Sequence, residues 1–153
     1  VVISSAIVTA LQTLVSRNAS PHHSAVVSVC KLQAGAAWNI IPDTGVLEGT
    51  VRTFQPEARA RIPDQMRRIV EGVAEGYGAE AYLKWTAMIP AVNNDARMTG
   101  IIQAAAETQG LRIVEAVPTM GGEDFSLSRS GCPAASFGWE RGGPSSGIIR
   151  DLR

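Results

Sequence analysis

The 153-residue sequence has little with which to hold a metal or staple itself together: two cysteines, Cys30 and Cys132, and two histidines, side by side at His22 and His23. Two distant cysteines make neither a disulfide framework nor a CxxC metal motif, and reduced thiols of a cytoplasmic protein are the plain reading. Adjacent histidines in an extended turn point different ways and chelate one ion poorly, and no carboxylate or thiol stands at ligand spacing beside them. Net charge is also lacking, with 14 Lys plus Arg against 14 Asp plus Glu. Without a basic excess the chain has no electrostatic footprint for nucleic acid and no draw toward an anionic membrane. A neutral balance favours self-association instead. No apolar run is long enough to span a bilayer, and no basic-then-apolar signal segment opens the chain. Internal repeats, a P-loop, a dinucleotide fingerprint and a Ser-His-Asp arrangement are likewise missing.

What is present is an ordinary core-forming composition, 45% hydrophobic and 18% charged, outside the disordered range. Ile3, Ile7, Ala10, Leu11, Leu14 and Val15 recur at the spacing of one helical face, predicting a helix over residues 1–16 that Ser20-Pro21 stops. The pattern starts at Val1 with no capping residue, which leads us to expect polypeptide upstream. Residues 25–33 and 46–54 read as strands, separated by a loop in which Pro42 breaks any ladder. In the second strand Leu47, Gly49, Val51 and Thr53 share one face, and Glu48, Thr50 and Arg52 the other. Pro56 opens a helix with the stripe Ile62, Met66, Ile69, Val70 and Val73. Pro63 predicts a kink or a later true start. Residues 79–89 alternate as a third strand. The order α-β-β-α-β needs one strand in front to complete a β-α-β-β-α-β ferredoxin-like sandwich.

After Pro90 the composition changes. Asn94 is expected to cap a helix ending near Gly110. A short strand over 111–116 follows, then a Gly-rich loop over 117–124 and another short strand over 133–138. The tail from Gly142 onward reads as a loop that fades out. The expected fold class is α/β in the α+β sense, divided at 1–90 and 91–153, with too few elements in the second part to close a core alone.

Three residues stand out chemically. Arg52, on the polar face of its strand, is either a surface arginine paired with Glu48 or an anion receptor, since a guanidinium grips a carboxylate with two parallel hydrogen bonds. Asn39, in the loop feeding that strand, is either a turn residue or an amide donor to a carboxylate or carbonyl oxygen. Gly121-Gly122-Glu123-Asp124 is either an acidic turn before a helix or a loop that lets backbone approach a ligand closely.

Taken together, the strings AIVTALQTLVSRN (6–18), Ala34-Gly35, Trp38-Asn39-Ile-Ile-Pro42, Leu47-Glu-Gly-Thr-Val-Arg52-Thr-Phe54 and Met120-Gly-Gly-Glu-Asp-Phe125 resemble the M20 peptidases. The closest branch is the aminoacylase, carboxypeptidase and auxin-conjugate hydrolase group, subfamily D. The resemblance runs from Val1 to about Gly138. It implies that residues 1–90 are most of a ferredoxin-like lid, or dimerisation domain, lacking its first strand, and that residues 91–153 begin with a return to the catalytic domain. The implied family reaction is hydrolysis of an N-acyl amino acid or peptide amide, with two zinc or manganese ions activating water and a glutamate shuttling protons. Asn39 and Arg52, thirteen residues apart, match lid residues that reach across a homodimer toward the substrate carboxylate. Glu123 matches the active-site-loop glutamate and is expected beside the site, not as a ligand.

The resemblance also implies that the metal ligands and catalytic glutamate would lie upstream of Val1. The last ligand histidine is missing after Cys132, and neither cysteine sits at a ligand position. The expectation is therefore a fragment of an amidohydrolase, inactive alone, that binds no metal of its own. The tail would be the unrelated end of a truncated or frame-shifted reading frame. A stand-alone dimerisation or carboxylate-binding module is the alternative, and a small-molecule sensor of the ferredoxin-like kind a third.

Overall fold

The computed structural model describes residues 1–18, 24–115, 117–128, 131–141 and 147–151. The His22-His23 pair and the Ser20-Pro21 helix stop lie outside them. The fold is mixed α and β. It divides into two units, Val1–Ala87 and Met88–Arg153.

In the first unit, helix α1 (Val2–Thr13) continues into a π-helical turn (Leu14–Asn18). Ile7, Leu11 and Leu14 of the predicted stripe are buried, and Ile3 and Val15 pack against them. Strands β1 (Ala25–Ala34) and β2 (Gly45–Thr53) form an antiparallel pair in which Val27 faces Val51 and Leu32 faces Leu47. The register shifts between Val29 and Lys31, so Cys30 occupies a bulge and is exposed. Inward-facing Leu47 and Val51 join the core through period-two alternation, as the sequence predicts.

Helix α2 (Pro56–Gly76) starts at Pro56 and runs unbroken through Pro63. The late start is therefore corrected. Proline forfeits one backbone bond here, while Ile62, Met66 and Val70, on a continuous buried stripe, hold the turns on either side. At its end the Ala79 amide returns to the Ala74 carbonyl at 2.9 Å. Helix α1 packs against α2 and over both strands, and α2 also touches β2.

The predicted third strand needs a larger correction. Residues 79–87 belong to no helix, and Ala81, Leu83 and Trp85 pack on the core while Glu80, Tyr82, Lys84 and Thr86 are exposed. The side-chain pattern is that of a strand, but the segment joins no ladder. Alternation reports which face is buried; a ladder needs a neighbour as well.

The second unit holds helix α3 (Ala96–Thr108), strand β3 (Arg112–Glu115), a four-residue helix α4 (Phe125–Ser128) and strands β4 (Phe137–Arg141) and β5 (Gly147–Asp151). Asp95, not Asn94, caps α3: its carboxylate accepts from the Met98 amide at 3.0 Å. The tail does not fade out. β5 is the central strand of a β3-β5-β4 sheet, parallel to β3 and antiparallel to β4. Among described side chains in this unit, Ala106 and Ser126 are the buried ones.

Candidate functional site

Asn39 sits in the loop joining β1 to β2, with its side chain exposed. The loop folds tightly at its base, where Gly35 approaches the Pro42 ring. Its crest is apolar and bare: Trp38 is 97% and Ile41 91% exposed. Asn39 is thus presented outward on a hydrophobic tip.

Arg52 lies toward the other end of the hairpin, paired across the ladder with Val26. As predicted, it is exposed on the outer face with Glu48 and Thr50. The Glu48 carboxylate is engaged by Lys31 Nζ at 2.9 Å. Lys31 is the direct cross-strand partner of Glu48. Both side chains are more than half exposed, which limits the pair to about 1 kcal/mol or less. From Gly45 to Arg52 the strand extends roughly 23 Å at about 3.3 Å per residue. The two candidate binding residues therefore mark opposite ends of one hairpin.

Glu123, in the second unit, is exposed and folds back so that its Oε1 accepts from the Phe125 amide at 3.4 Å. It acts as a local cap for α4, with the Ser126 amide reaching its carbonyl at 3.2 Å. Gly122, read as a point of close approach for a ligand, instead approaches Ile89: a Cβ there would stand 3.1 Å from Ile89 Cδ1. Ser126 follows in α4 with a buried hydroxyl that has no partner among the described residues.

One polar pair was not legible in the sequence. Asn94 donates through Nδ2 to the Ser136 carbonyl and accepts at Oδ1 from the Ser136 amide, both at 2.8 Å. The Asp95 amide adds a bond to the Ala134 carbonyl at 3.0 Å. Residues 94–95 therefore serve as a clasp for 134–136. The run Asn93-Asn94-Asp95 offers three good capping residues, and composition alone does not say which one turns away from the helix.

Among the described residues, no group of three or more His, Cys, Asp or Glu side chains is placed to hold a metal ion. The donors described do not fit a two-metal centre. No helix among them is long and apolar enough to cross a membrane.

No protein-family model matches the chain. Individual relatives do. It is 48% identical over 127 residues to the N-acetylcysteine deacetylase of Bacillus subtilis, covering 83% of this chain and 33% of that protein. It is 34% identical over 138 residues to the N-acetyldiaminopimelate deacetylase of Anoxybacillus flavithermus, covering 90% of this chain and 36% of that protein. Among solved structures, a dinuclear metal-binding peptidase of the M20 family from Bacillus subtilis superposes with a TM-score of 0.73 at 37% identity, over 98% of this chain and 36% of that one. By name these relatives are deacetylases and a peptidase. The chain belongs to the M20 amidohydrolase family, and it spans about a third of the length of the curated relatives it matches.

Proposed function

We propose that this chain supplies most of the lid and a returning segment of the catalytic domain to a metal-dependent amidohydrolase acting on N-acyl amino acids. The supporting observation is its 48% identity with an N-acetylcysteine deacetylase across a stretch that includes most of the chain. The lid corresponds to residues 1–90 and the returning segment to 91–153. Arg52 grips the substrate carboxylate, where two parallel hydrogen bonds from a planar guanidinium fix position as well as charge. Asn39 donates its amide to a carboxylate or carbonyl oxygen. Their separation along the hairpin is consistent with a homodimer in which each serves a different end of the interface, not with one ligand held by both in a single unit. Glu123 stands beside the site on its capped loop.

In this reading the chain, which spans about a third of the length of the relatives it matches, does not hydrolyse these substrates alone. Two measurements test the reading. Turnover of N-acetylcysteine by the isolated chain, abolished by a chelator, would overturn its inactivity. Second, residues 1–138 are spliced into the Bacillus subtilis N-acetylcysteine deacetylase in place of the matched stretch. A folded, metal-loaded chimera should deacetylate its substrate. A silent one removes the case for the amidohydrolase and leaves the stand-alone dimerisation or carboxylate-binding module, for which the exposed hairpin tip is the favouring observation.

A further inference from the structure

The crest of the β1–β2 loop carries apolar surface that the fold does not use. Trp38 is 97%, Ile41 91% and Ile40 67% exposed. None of the three belongs to the core cluster or to the residues packed against it, whereas Trp85 does. Single exposed apolar residues are ordinary, but three within four positions, set around one polar residue, make a patch.

The crest is also held in shape. Gly35 adopts φ +84°, and a Cβ there would stand 3.6 Å from Pro42 Cγ, so the two ends of the loop meet at its base. Pro42 fixes its own φ besides. Residues 36–41 are thus a short span closed at both ends, which leaves less to order on binding. No residue from Leu32 to Pro42 carries charge. One amide among an indole and two isoleucines has the make-up of a small-molecule contact surface, mostly apolar with one placed polar group.

The occupant follows from Asn39. Here the inference rests on the reading above, in which this amide meets the carboxylate end of an N-acyl amino acid. In such a molecule the carboxyl carbon is bonded to Cα, and Cα carries the side chain. The acyl chain lies beyond the amide and is further away. The apolar group that stands beside an amide engaged with the carboxylate is therefore the amino-acid side chain. We propose that Trp38, flanked by Ile41, packs on that side chain and sets which N-acyl amino acids are taken, favouring those with uncharged apolar side chains. A longer apolar side chain covers more of the indole, and glycine covers none. A charged one would lose water against a face that offers no countercharge.

The test uses the chimeric deacetylase described above with the N-acetyl derivatives of alanine, 2-aminobutyrate and norvaline, which differ by one methylene each. With Trp38 in place, kcat/KM should rise by about fourfold per methylene, the worth of burying one. In Trp38→Ala the rise should shrink to about twofold or less, and Trp38→Phe should keep most of it. Lengthening the acyl group of N-acylalanine from acetyl to butyryl should change kcat/KM by the same factor in all three enzymes. Melting temperatures should coincide, since Trp38 takes no part in the core. An active chimera in which Trp38→Ala lowers kcat/KM equally for the whole side-chain series overturns this inference and leaves the amidohydrolase reading standing. So does one in which the substitution alters the acyl dependence instead. A folded, metal-loaded chimera silent on every substrate overturns both.

Discussion

Asn94 and Ser136, 42 residues apart, hold each other by a reciprocal pair of hydrogen bonds, each 2.8 Å long. The amide of Asn94 imitates a neighbouring strand, donating and accepting toward one residue as a ladder partner would. It joins the start of α3 to the approach to β4 with a single side chain. The part-buried setting makes both bonds worth keeping, since a stranded partner costs more than a made bond contributes.

Asn94→Asp keeps the acceptor and the size but removes the Nδ2 donor, leaving the Ser136 carbonyl unmatched. We expect a loss of about 1–3 kcal/mol in the second unit. Asn94→Leu, which strands both Ser136 groups, should lose more. Exchange at the Ser136 amide is the readout, and protection unchanged in Asn94→Leu would show that the clasp carries no weight.

Gly49 and Gly72 should respond to alanine in opposite directions. A Cβ on Gly49 collides with the Ser28 carbonyl across the ladder, in backbone that cannot yield as a side chain tip could. The expected cost is about 1–3 kcal/mol. Gly72 lies in α2 with nothing within 4 Å of its added Cβ, so alanine there should stabilise by up to about 1 kcal/mol. Thermal melts of the two variants that shift the same way would contradict this account.

Tyr82 donates its hydroxyl to Glu80 Oε2 at 2.7 Å. That hydrogen bond first, and the carboxylate's negative charge second, hold the phenol above its ordinary pKa. A raised folded-state pKa means the contact favours the fold while the phenol is protonated. It is lost as pH climbs through that raised value, on the alkaline side of about 10. Glu80→Gln should lower the ionisation midpoint of Tyr82, seen in near-ultraviolet absorbance. A midpoint unmoved by the substitution would separate the phenol from Glu80.

In the chimeric deacetylase, Arg52→Ala should raise KM for the N-acyl amino acid by roughly tenfold to a hundredfold, the loss of a charge-assisted pair. If the grip is equal in ground and transition states, kcat should change little. Arg52→Lys should recover part of the binding, because an ammonium supplies charge without the fork. Identical KM values for arginine and alanine would remove Arg52 from the substrate's carboxylate.

Much of the first unit could be read from residue spacing because its core is built from repeating faces. The α1 stripe, the inward set on β2 and the α2 stripe all bury as their periods require. Pairing was less legible. Nothing in the alternation of Ala81, Leu83 and Trp85 says whether a neighbour lies alongside, since ladder bonds are made by backbone common to every residue. Capping was ambiguous for a related reason: Asn94 and Asp95 are both good caps, and a distant carbonyl at Ser136 decided between them. Strand β5 escaped notice because five residues beginning in glycine carry too little pattern to compete with the loop before it. At the site, the outward face of Arg52 followed from parity alone. The distance between Asn39 and Arg52 required knowing where the hairpin turns.

Trp38 adjoins Asn39 and is 97% exposed, whereas Trp85 rests on the core. An indole so fully bathed in water emits at the red end of its range, and any surface that settles over it shifts that emission to the blue. The molecule thus carries its own optical probe at the crest of the hairpin. Encounters there can be followed by fluorescence with no label attached.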